Sequence, residues 1–154
     1  MSGLEGRAVR FDRPERSQSE WREFSLEQFI PLGHRVRTVW RYVQTLDMTL
    51  LESQYKAVEG SKGRNPVDPR ILMALWIYAT TESISSARQI DRLCKRDLAF
   101  MWICGNVSVN YHMLSDFRST NLEFLQKTLV TTVASLLHAD VITLEIVAQD
   151  GMRT

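Results

Sequence analysis

Four basic side chains, Arg88, Arg92, Lys95 and Arg96, fall within one short window. Spacings of four and three place Arg88, Arg92 and Lys95 along one side of a helix. Such a row can hold phosphate oxygens, or it can be a solvated outer face. Lys62 and Arg64 stand in the loop before it, with Arg70 just beyond, and flexible basic loops suit phosphate contact. A second group follows at Asn110, His112, Ser115 and Arg118. Asn, Ser and Arg are types that read base edges or grip phosphates. Tyr111 joins their outward face, while Met113, Leu114 and Phe117 are expected to face a core.

Other reactive residues form no constellation. His34, His112 and His138 are widely separated, so neither a catalytic triad nor a histidine metal site is indicated. Cys94 and Cys104 are the only cysteines, without a second pair nearby. A structural zinc site needs about four ligands at close spacing. The pair is therefore expected to be free thiols, buried or half-buried. No cofactor is expected from the residues themselves.

The formal net charge is +1, which by itself indicates no partner. Its distribution is uneven. Residues 34–96 hold eleven Lys/Arg against six Asp/Glu, and residues 97–154 hold three against six. A basic middle attracts a phosphate backbone, or is simply a charged helical surface. Hydrophobic residues make up 44% and charged residues 24% of the chain, ordinary for a soluble globular domain. No run of about 18 apolar residues exists to span a membrane. The first residues alternate charges and lack an apolar signal-peptide core. A cytoplasmic location is the expectation.

These side chains need helices to position them. Residues 1–20 read as a loosely held leader, and residues 21–140 as one helical domain. Trp21, Phe24, Leu26 and Phe29 open the apolar pattern, which Pro31 and Gly33 interrupt. Val36, Val39, Trp40, Val43 and Leu46 then recur at helical spacing. Asp47 begins another helix with Leu50, Leu51 and Tyr55. Residues 59–69 form a loop. Asp68-Pro69 is a helix start, leading into the apolar Ile71, Leu72, Leu75, Trp76 and Ala79. Ser85 or Ser86 caps the helix bearing the basic row. Asp97 opens a short apolar helix that Gly105-Asn106 closes, and Asn110 opens the next. Asn121 caps a long final helix. Trp40, Trp76 and Trp102 lie on apolar stripes and are expected in the core. Residues 97–118 fit a helix-turn-helix with residues 110–118 as recognition helix, or one more short helix pair in an α domain. Val141, Ile142, Leu144, Ile146 and Val147 read as a strand ending at Asp150-Gly151. The fold class is thus all-α, a bundle-like multi-helix domain with one terminal strand in residues 141–154.

Four passages carry a family resemblance: Ile30-Pro31 with His34, Arg37 and Leu46-Asp47; Gly63-Arg64 with Asp68-Pro69-Arg70-Ile71-Leu72; residues 108–118, from Ser108 to Arg118; and residues 147–153, around Asp150. In this order and spacing, over roughly residues 28–154, the chain resembles the N-terminal part of bacterial insertion-sequence transposases of the DDE type. In those proteins a helical domain precedes a ribonuclease-H-like catalytic core. The resemblance implies duplex DNA at the element's terminal repeats as partner, nucleoid association, and Asp150 as the first of three catalytic carboxylates. Strand cleavage and transfer use two divalent metals held by carboxylates, so Mg2+ or Mn2+ is implied for the full-length family. Asp150 would be a metal ligand only in that full-length context. Asp-Gly after a strand is equally a hairpin turn.

The second aspartate and the glutamate of the family pattern are not in this sequence. The expectation is a truncated product, inactive alone, that binds DNA and joins either copies of itself or a full-length transposase subunit. The alternatives are a helical oligomerisation module, and an inert relic of a disrupted transposase gene.

Overall fold

A computed structural model describes residues 10–56 and 66–138. Among them are eight helices: α1 Leu26–Phe29, α2 Arg35–Thr45, α3 Thr49–Lys56, α4 Pro69–Thr81, α5 Ala87–Leu93, α6 Leu98–Cys104, α7 Tyr111–Thr120 and α8 Leu122–His138. The described part is all-α, as expected. The expected strand over residues 141–147 lies outside the described residues, as do Lys62, Arg64 and Asp150.

Most helix starts follow from one polar side chain. An N-cap acceptor satisfies a backbone N–H that has no partner within the helix. His34 Nδ1 accepts from the Val36 N–H at 3.0 Å to open α2. The Asp68 carboxylate accepts from Arg70 at 2.9 Å, with Pro69 at the first helical position of α4. Ser86, rather than Ser85, caps α5 through the Gln89 N–H. Asp97 accepts from Ala99 and Phe100 at the start of α6. Asn110 accepts from Met113 at 3.0 Å at the start of α7.

Arg37 governs the turn between α1 and α2. Its guanidinium donates to the carbonyls of Glu27, Ile30 and Pro31 at 2.7–3.2 Å. These are carbonyls that the end of α1 and the Pro31 break leave without helical partners.

α4 is the centre. Every residue from Ile71 to Ala79 is buried, and α2, α6, α7 and α8 all pack against it. Val36, Val39 and Val43 of α2 have no exposure at all; each such side chain stabilises the fold by about 1.5–3 kcal/mol relative to exposure. The Trp76 indole donates to the Leu114 carbonyl at 3.1 Å, so its one polar atom is satisfied inside the core. Tyr78 meets Phe100 edge-on with ring centres 5.0 Å apart. Burial, with Glu82 and Asp97 nearby, pushes the Tyr78 hydroxyl above its ordinary value.

In α3 Leu51 is buried and Leu50 is 74% exposed, because consecutive residues on a short amphipathic helix point apart. Two expectations about the core need correction. Trp76 is core, whereas Trp40 and Trp102 are only half-buried at its edge. Met113 is exposed; it lines a cleft of about 880 Å³ with Val67, Ile71, Leu72 and Phe117.

Candidate nucleic-acid interface

α5 and α7 lie against each other. Asp91 makes the junction. It is 9% exposed, and its Oδ2 accepts from the backbone N–H of Tyr111 at 2.9 Å. That N–H is the first of α7 and has no partner within the helix, so a carboxylate on α5 supplies one from outside. The Asp91 Oδ1 lies 3.0 Å from the Lys95 ammonium, an ion pair off the line of a hydrogen bond.

The basic row therefore stands on a fixed support. Arg88 and Arg92 are exposed on α5, and Lys95 and Arg96 are exposed in the turn that follows. Arg92 and Arg96 pair with no carboxylate among the described residues. Arg88 lays its guanidinium over the Tyr111 ring, 4.8 Å from the centre. The His112 ring lies 4.0 Å from Tyr111 on a 33° tilt, and His112 is exposed. Arg88 and the aromatic pair thus stand at the start of α7, with Arg92, Lys95 and Arg96 exposed further along α5 and the turn after it.

The other site residues divide. The Asn110 side-chain oxygen is occupied by the α7 cap. Ser115 is half-buried on α7. Arg118 turns into the fold, donating to the Ser85 carbonyl at 2.9 Å with its guanidinium 4.5 Å from the Trp76 ring centre. Arg70 pairs with Glu52 at 2.7 Å. Asp91 was not among the residues singled out in the sequence. A lone aspartate between two arginines gave no sign of a partner twenty positions away.

The helix-turn-helix expectation meets a different arrangement. α7 takes α5, α4 and α8 as its main neighbours, and α6 takes α1, α4, α2 and α5. Residues 105–110 separate α6 from α7, a longer link than the three or four residues such a motif uses. The face presented outward is built from α5 and the start of α7.

Cys94 is half-buried and Cys104 buried, both free thiols. The neighbouring Cys104 thiol, together with burial, raises the Cys94 thiol above its ordinary value. No group of three or more His, Cys, Asp or Glu among the described residues could hold a metal ion. No helix among the described residues is long and apolar enough to cross a membrane.

No curated protein and no solved structure matches the chain. One protein family does, over residues 24–120, the span from just before α1 to the end of α7. Its description is Transposase domain (DUF772), and by a match over well over half its length this chain belongs to that family.

Proposed function

We propose that this transposase domain binds duplex DNA through the face formed by α5, the turn after it and the first turn of α7. One observation carries the reading: Arg88, Arg92, Lys95 and Arg96 are all exposed along α5 and the turn after it, Arg88 against Tyr111 at the start of α7, and Arg92 and Arg96 have no acidic partner among the described residues. Guanidinium groups free of carboxylates suit phosphate oxygens. The element's terminal repeats are the proposed target. Anisotropy with labelled duplex tests this. If about four phosphates are neutralised, log K falls against log salt with a slope near about −3.6. Arg92→Ala with Arg96→Ala should flatten that slope by about two phosphates' worth. A salt response equal to wild type would show that the row only faces water.

The DDE reading of Asp150 is part of the same proposal. A two-metal site takes several carboxylates, and the described residues provide no such cluster. No cleavage step is derived for these residues. Asp150→Asn should leave DNA affinity unchanged, because end binding is assigned to α5 and α7. A loss of affinity of about tenfold or more would mean that residues 141–154 contact DNA.

Self-association is a second reading with its own support. Trp21, Phe24 and Leu32 are 92%, 62% and 83% exposed, and large exposed apolar side chains mark contact surfaces. Sedimentation of wild type against Trp21→Ser decides whether they hold copies together.

A further inference from the structure

The basic row explains phosphate contact but leaves the Arg88–Tyr111–His112 cluster beside it without a role. Arg88 and His112 both lie against the Tyr111 ring, the guanidinium 4.8 Å and the imidazole 4.0 Å from its centre. Arg88 and His112 are exposed, while Tyr111 is half-buried. Tyr111 is the anchored member, because its N–H is held by the buried Asp91 carboxylate on the neighbouring helix. The cluster therefore presents planar groups whose positions are set by two helices. Phosphate oxygens need charge and hydrogen-bond donors, and have no use for a flat π-surface. Inside an intact duplex each base face is already covered by its neighbours. The flat surface fits a base that has left the stack.

We propose that the Arg88–Tyr111–His112 cluster is a platform for an unpaired DNA base, with Arg92 one helical turn along α5 placed for the adjoining phosphate. This rests on the DNA-binding reading above and specifies its ligand. Stacking on an aromatic side chain tolerates any base, since every base has a π-face. Arginine adds a cation–π term on the same principle. The platform thus selects for unpairing and not for sequence.

The test compares three labelled DNAs of one sequence: a perfect duplex, the duplex with one unpaired base, and the single strand. Each is titrated against wild type, His112→Ala and His112→Phe. Stacking contributes roughly 1–3 kcal/mol per base, so wild type should prefer the duplex with the unpaired base by about tenfold over the perfect one. His112→Ala should remove that preference, bringing the affinity ratio of bulged to perfect duplex to about one, and His112→Phe should restore the ratio. His112 is exposed, and circular dichroism confirms that each variant keeps its helices. If the single strand binds as tightly as the bulged duplex, the platform takes a free strand; if the bulge binds tighter, it takes an extrahelical base within duplex. Equal affinity for perfect and bulged duplex, or a preference unchanged in His112→Ala, overturns the platform and leaves DNA binding standing. No binding to any of the three overturns both.

Discussion

Arg37 and Arg118 are cations that the fold uses for itself. Arg37 gathers three carbonyls and ion-pairs with Glu27 while stacking on Trp102 at 5.1 Å. Arg118 covers Trp76 and holds the Ser85 carbonyl. In a sequence both look like any surface arginine. Their direction is decided by tryptophans far away in the chain, which no local spacing announces. Arg118→Ala should therefore lower stability by about 1–3 kcal/mol and leave the salt slope of DNA binding as it was. A reduced slope with unchanged urea midpoint would return Arg118 to the interface. Asp91→Ala should also cost about 1–3 kcal/mol, because it leaves the half-buried Tyr111 N–H without its partner. Glu27 offers a pH test. Its carboxyl is held below the ordinary glutamate value of about 4.5, first by the hydrogen bond from Arg37 and then by that from Trp102. A depressed carboxyl stabilises the fold above its unfolded value and loses that contribution as pH falls through the folded one. The Trp102 indole N–H, 3.2 Å from Glu27 Oε2, should shift in NMR with a midpoint below 4.5. A midpoint at or above that value would show that the pair does not persist in solution.

At the scale of elements, two helix ends use the left-handed conformation with opposite residues. α6 ends at Gly105 with φ of 54°, where glycine carries no penalty. α4 ends through Ser83 with φ of 61°, followed by a 2.8 Å bond from the Ile84 N–H to the Ala79 carbonyl. Gly105→Ala should destabilise by about 1 kcal/mol from strain alone, since nothing crowds the added carbon closer than 3.9 Å. Ser83→Gly should offset a similar strain and raise the melting temperature. Opposite signs in thermal denaturation confirm the pair; equal signs would mean another effect dominates. Helix starts and stops were the most legible part of the sequence. Asp68, Asp97, Asn110 and Gly105 act within three or four residues of their own position, so type and spacing suffice. Which helices pack together was not legible. α6 and α7 are neighbours in sequence, and that suggested a helix-turn-helix. The Asp91–Tyr111 bond instead helps hold α7 beside α5, and a contact across twenty residues leaves no periodic trace. Met113 turned outward for a related reason: Leu114 and Phe117 already fill the face that α7 gives to α4.

At the scale of the molecule, the family match ends at Thr120, but the packed unit does not. Leu125 is buried, and α8 lies on α4 and α7. Gln54 donates to the Asn121 side chain at 3.1 Å, tying α3 to the start of α8. Removing residues 122–138 should uncover α4 and abolish the cooperative thermal transition. A truncated chain that melts like the original would confine the domain to the matched span. The passages behind the family resemblance have physical roles within this unit. His34 caps, Arg37 binds carbonyls, Asp68-Pro69 starts the central helix, and Leu114 with Phe117 fills the core. The residues proposed to meet DNA stand mostly outside those roles. That division follows from α4 being enclosed on every side. A helix sheathed by others takes its constraints from them and passes none to solvent. Mutations on the water side of α5 therefore drift without disturbing the interior. The outward side chains of α5 can thus change in type while the framework that carries them keeps its form.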